Sequence, residues 1–138
     1  MSPTPQEIFQ RYVHAGPLTR DADALAELFT EDGVFEAPLL PEGTSLPRRV
    51  VGREAIRTAM AAHYAYQPAE KRTPNLQKSR YVLHTTADPE VFIAEIDTAF
   101  DDGDGDGEDA VVSLVQIFRV RDGRIARLRD YFSPALVN

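Results

Sequence analysis

The sequence predicts an α+β domain: three helices around one short strand, then a long antiparallel meander, with the helices packed on the concave face of a curved sheet. Two observations carry this expectation. The hydrophobic period changes from 3.6 to 2 near residue 79 and does not change back. The hairpin signal Asp122-Gly123 then falls between two alternating runs. The chain has 138 residues with no internal repeat and no linker composition, so it reads as a single domain over 1–138.

The elements follow in order. Thr4-Pro5-Gln6-Glu7 starts a helix: Thr4 caps, Pro5 suits the first helical position and Glu7 completes a capping box. Ile8, Phe9, Tyr12 and Val13 lie on its apolar face, and Gly16-Pro17 is expected to end it. Asp21 caps a second helix that buries Leu25, Leu28 and Phe29. Glu31-Asp32-Gly33 is a turn before a short strand, Val34–Ala37. Residues 38–51 read as a loop with three prolines, and loops this long are often functional. A third helix covers roughly 53–66, with Ile56, Ala59, Met60 and His63 on one stripe. Pro68 and Pro74 bracket a further loop. Ser79–Thr86, Val91–Phe100, Ala110–Arg121 and Arg124–Phe132 alternate as strands.

Composition excludes several functions. With no Cys there is no disulfide framework, thiolate metal site or Cys nucleophile. A pI near 4.9 argues against a nucleic-acid binder, which needs a basic face. No apolar run is long enough to span a bilayer. The start of the chain lacks the basic and apolar regions of a signal peptide, so a cytoplasmic protein is expected. The formal charge of -7 comes largely from one loop, Asp101–Asp109, which holds six of the 22 acidic residues. Its Asp-Gly repeat begins like a calcium loop, but Ser113 stands where the twelfth-position acid should be. No metal or organic cofactor is implied.

A few residues break the alternation. In the last strand Ala126, Leu128, Asp130 and Phe132 share a face and Ile125, Arg127, Arg129 and Tyr131 the other, so Asp130 is a carboxylate among apolar neighbours. It is either a structural, paired Asp or one whose pKa is raised by desolvation, as a general acid/base requires. Gln116 is the polar member of the face Val112, Leu114, Gln116, Phe118 and Val120. It either orients a ligand carbonyl or satisfies a buried network. Glu95 and Asp97 are expected to face solvent or a subunit interface. His63 and Tyr12 lie on apolar helix faces, each a core residue or a catalytic one. The arginines 119, 121, 124, 127 and 129 are expected on an ion-paired outer surface.

The order helix, helix, short strand, helix, four long strands resembles the nuclear transport factor 2-like superfamily, in its SnoaL-like and ketosteroid-isomerase-like branch. The closest local matches are Leu25–Phe35, Gly52-Arg53-Glu54-Ala55-Ile56 and Asp122-Gly123-Arg124-Ile125. Arg129-Asp130-Tyr131-Phe132-Ser133-Pro134 is similar to the ending of phenazine-biosynthesis A/B-type members. The resemblance implies a cone-shaped fold enclosing one apolar pocket, a homodimer, and a small apolar or cyclic metabolite as ligand. It implies Tyr12 as the first-helix tyrosine that donates to a developing oxyanion. Gln116 stands where the isomerases keep a protonated Asp, and Ala37 where they keep the shuttling base. Asp130 matches the acid near the end of the last strand in the cyclases and phenazine-type proteins. His63 lies one turn past Ala59, near which the phenazine-type histidine falls.

These readings combine into one expectation. Asp130, His63 and Tyr12 act by acid/base chemistry, and Gln116, Phe35, Met60, Leu114, Phe118 and Phe132 bind the substrate. The reaction is an isomerisation, cyclisation or condensation in secondary metabolism. The alternative is a non-catalytic binding or assembly module of the same fold.

Overall fold

A computed structural model of the protein describes residues 3–66, 74–100 and 110–134. The acidic connection 101–109 with its calcium-loop resemblance, and Pro68, lie outside these residues. Helix α1 (Pro5–Val13) is capped as the sequence predicts: Thr4 Oγ1 accepts the Glu7 N–H, and Glu7 Oε1 accepts the Thr4 N–H at 3.0 Å. Gly16-Pro17 does not end the coil. It widens into a π-helical turn (His14–Leu18), in which the Thr19 N–H reaches back five residues to the His14 carbonyl at 3.0 Å. The wider turn absorbs Pro17, whose ring would clash with the carbonyl of a tighter helix. Arg20, at φ 51, finally turns the chain.

Asp21 caps α2 (Ala22–Glu27) by accepting the Ala24 N–H at 3.0 Å. Phe29 opens strand β1 (Phe29–Glu36) instead of closing the helix, so the first strand is longer than the sequence suggested. A bulge lies inside it, between Phe29 and Val34. Gly33 is required there, because a Cβ would sit 3.0 Å from both Phe29 Cβ and the Thr30 carbonyl oxygen. The expected loop 38–51 ends in a three-residue strand, β2 (Arg49–Val51), paired antiparallel to β1. Arg53, at the start of α3 (Arg53–Tyr66), donates from Nε and Nη2 to the Phe29 carbonyl at 3.0 and 2.8 Å, tying that helix to β1.

Four long strands complete the sheet: β3 (Pro74–Thr85), β4 (Val91–Phe100), β5 (Ala110–Arg121) and β6 (Arg124–Tyr131). β3 starts five residues earlier than its alternation suggested. The turn between β5 and β6 places Asp122 at φ 53 and Gly123 at φ 79, the left-handed pair that an Asp-Gly hairpin demands. The sheet order is β2-β1-β6-β5-β4-β3, curved and unclosed; among the described residues only β1 and β6 run parallel.

Register divides the curved sheet into layers on its inner, helix-covered face. Thr85, Phe92, Phe118 and Leu128 align across β3 to β6 as the floor. Leu83, Ala94, Gln116 and Asp130 form the next layer, and Tyr81, Ile96 and Leu114 the one above. Phe92, Phe118 and Leu128 are fully buried, whereas Ile96 and Leu114 are half-buried and Tyr81 is exposed, so the inner face opens away from the floor. One assignment of faces is corrected. Ile125 was expected beside Arg127 and Arg129, yet it is fully buried. The register passes from Arg119↔Arg127 to Val120↔Ile125, leaving Ala126 as an extra residue in β6. This bulge shifts the phase of the strand, so Ile125 and Leu128 both point inward.

Aromatic packing joins the helices to the floor. Phe118 stacks on Phe92 at 4.7 Å and 7° and takes Phe9 and Tyr12 edge-on at 6.2 and 5.6 Å. Four of the five arginines expected to be ion-paired are so: Arg119 with Asp88, Arg121 with Asp32, Arg124 with Glu27 and Arg129 with Glu36; Arg127 is exposed on β6 without an ion pair among the described residues. Such exposed pairs contribute about 0–1 kcal/mol each, so the core decides stability. Phe118→Ala is expected to cost about 3–5 kcal/mol, read as a fall in the urea midpoint. A cost below about 1 kcal/mol would contradict the central place given to this ring.

Candidate functional site

The second layer is the polar belt of an otherwise apolar interior. Gln116 and Asp130 face each other across β5 and β6, and they are 4% and 8% exposed. Tyr12 reaches this layer from α1. Its ring rests edge-on against Phe118, which aligns with the floor directly below Gln116. Ala94 is the next member of the layer after Gln116 and is fully buried. Phe92 and Ile96 hold the same place in the layers on either side.

Burial pushes the Asp130 carboxyl up from 3.8 to about 7, and a hydrogen bond from Gln116 draws it part of the way back. Tyr12 is raised well above 10, first by burial and then by the negative charge of Asp130; Gln116 again opposes the shift. Toward the ionised Asp130 carboxylate the Gln116 amide can only donate, since a carboxylate has no proton to give. Two acceptors in this belt have no hydrogen-bond partner among the described residues: Gln116 Oε1 and Asp130 Oδ1. Buried polar atoms are rarely left so.

His63 is buried on α3, but no hydrogen bond joins it to Asp130. Its Nδ1 lies 3.0 Å from Ser45 Oγ, on the segment between β1 and β2, and its ring packs beside Tyr64. Burial lowers its pKa, helped by the positive charge of Arg20. The structure thus brings Tyr12, Gln116 and Asp130 together and gives His63 a separate partner. Ser45 carries no sequence signal, because it meets His63 only through tertiary packing. Tyr64, pushed up to about 12 by burial, was likewise passed over; it contributes to the Tyr12 field.

Phe35, Met60, Phe118 and Phe132 are buried in one cluster, and Leu114 packs against it. A concavity of about 350 Å³ lies where β3, β4 and β5 run side by side; Tyr81, Ile96 and Leu114 of the third layer line it together with their outward neighbours Arg80, Val82, Glu95, Asp97 and Val115. Glu95 and Asp97 are exposed there, as the alternation predicted. Glu95 accepts from His84 at 2.6 Å, and Asp97 from Ser113 at 2.7 Å. Among the described residues no cluster of three His, Asp or Glu side chains could hold a metal, and no helix is long and apolar enough to cross a membrane.

Fold and register together correspond to a known family. The chain belongs to the SnoaL-like domain family, which matches residues 9–128. It is 32% identical over 125 residues to the uncharacterised protein YesE of Bacillus subtilis, covering 87% of this chain and 76% of that one. It is also 32% identical over 128 residues to an uncharacterised PhzA/B-like protein of Pseudomonas aeruginosa, covering 88% and 81%. The crystal structure of a candidate isomerase from Bacillus subtilis superposes with a TM-score of 0.71 at 28% identity, covering 96% of this chain and 88% of that one. The fold is the ketosteroid-isomerase-like, nuclear transport factor 2-like cone.

The raised carboxyl sets a pH dependence. Folded Asp130 holds its proton more tightly than the unfolded chain does. The stability this adds is whole below about pH 4 and is lost as pH rises through about 7. Asp130→Asn, which stays neutral, should therefore gain on the wild type by on the order of 4 kcal/mol between pH 4 and pH 8. Urea unfolding of both proteins across this range measures the difference; parallel curves would contradict a buried, raised carboxyl.

Proposed function

We propose that the protein is a cofactor-independent enzyme that moves a proton at a carbon next to a carbonyl, on a small cyclic or polyketide-like metabolite. The observation that carries this reading is the Asp130 carboxyl, buried on the inner face and poised at about 7. Above that pH its carboxylate removes the α-proton. The Tyr12 hydroxyl donates to the enolate oxygen that forms. The Asp130 carboxylic acid then returns the proton to a different carbon, or the enolate attacks a second carbonyl of the same molecule and the acid's proton goes to the alkoxide that forms. The first outcome is isomerisation and the second an aldol cyclisation. A general base near neutral pKa combines a useful fraction of free base with adequate strength.

His63 contributes through Ser45, positioning the segment between β1 and β2 beside α3. The Bacillus subtilis neighbour described as a candidate isomerase supports the class of reaction. Asp130→Asn is expected to slow deuterium exchange at the α-carbon of a bound cyclic ketone by about 10²–10⁴-fold while leaving binding in place, as proton NMR in deuterium oxide would record. Unchanged exchange would leave only the binding-module alternative.

The outer face of the sheet suits a second copy of the chain. Val82 and Val115 are exposed there between opposite charges, Arg80 against Glu95 and Asp97, a pattern that a two-fold axis can make self-complementary. Val115→Glu is expected to halve the mass measured by light scattering. The same mass for both proteins would place any partner elsewhere.

A further inference from the structure

Toward the ionised Asp130 carboxylate, which can only accept, Gln116 presents its amide N–H group. Its other end, Oε1, accepts nothing, and neither does Asp130 Oδ1 on the facing strand. Both atoms are buried in a belt completed by Ala94 and Leu83, below a layer that is half open to solvent. A buried acceptor left without a donor is expensive, and a ligand that supplies the donor removes the penalty. The ionised carboxylate also fixes the amide this way round, because the reversed amide would set two acceptors against each other.

We infer that the ligand carries a hydroxyl or amine N–H directly beside its carbonyl, donated to Gln116 Oε1, so that the substrate class is a cyclic α-hydroxy or α-amino ketone. This deepens the acid/base reading above and rests on it for the carbonyl. The three contacts divide by chemistry. The carbonyl oxygen accepts from Tyr12, the neighbouring hydroxyl or amine donates to Gln116, and the acidic C–H meets Asp130. A plain ketone would leave Gln116 Oε1 dry and unpaired, and a methyl ether would set an oxygen against it. The sequence alone suggested that Gln116 would polarise a carbonyl; the orphaned Oε1 assigns it the opposite polarity.

The test compares three probes of one size class: 2-hydroxycyclohexanone, 2-methoxycyclohexanone and cyclohexanone. Each is titrated into the intact protein at pH 8 and followed by NMR. The hydroxy ketone is expected to bind at least about tenfold more tightly than either of the others. Gln116→Met keeps the length of the side chain and should bring the hydroxy ketone to within about twofold of the others. Equal affinities in the wild type, a preference for the ether or the plain ketone, or no binding of any probe would overturn the inference. So would a preference that survives in Gln116→Met. Deuterium exchange in the same samples separates the two readings. Discrimination without exchange leaves the ligand class standing and removes the acid/base chemistry. Exchange without discrimination does the reverse.

Discussion

The stack of Phe118 on Phe92 is the contact on which the rest of the molecule depends. It fills the narrow end of the cone with two rings and gives α1 a surface to rest on. Phe9 and Tyr12 then meet Phe118 edge-on, and the rotation of α1 is thereby fixed. That rotation aims the Tyr12 hydroxyl at the belt where Gln116 and Asp130 face each other. The same rings exclude water from below the carboxyl and so raise its pKa. Packing and chemistry are therefore one arrangement, since the group that holds the helix also desolvates the acid.

Much of this was legible in the sequence because a strand has a period of two. Alternation alone placed Asp130 and Gln116 inward, and register then set them opposite each other. The capping box, the third helix and the Asp-Gly hairpin are local signals, and the structure reproduces them. The features that were missed are those in which a local rule yields to its surroundings. Pro17 reads as a stop, but a π-helical turn accommodates it. Arg49–Val51 is too short to show a period, and it becomes a strand only because β1 offers an edge. Ile125 was placed outward because a one-residue bulge leaves no mark in composition.

The site shows the same division. Asp130 was visible as an acid among apolar neighbours, and its raised pKa follows from that burial. The partner of His63 was not visible, since Ser45 lies on another segment and its hydroxyl has no distinctive spacing. The polarity of Gln116 was not visible either. Residue type names both a donor and an acceptor, and only the neighbours decide which end is engaged.

The extra residue at Ala126 has a consequence for how this family can change. Asp130 and Arg129 are adjacent in β6, and only parity decides which of them faces inward. Losing or gaining one residue between the hairpin and Asp130 would exchange a carboxylate for a guanidinium at the heart of the cone. The bulge is therefore a hinge in sequence space: it couples the count of residues in the last strand to the sign of charge inside. Relatives that differ in length at this strand are where opposite interior chemistry is to be sought.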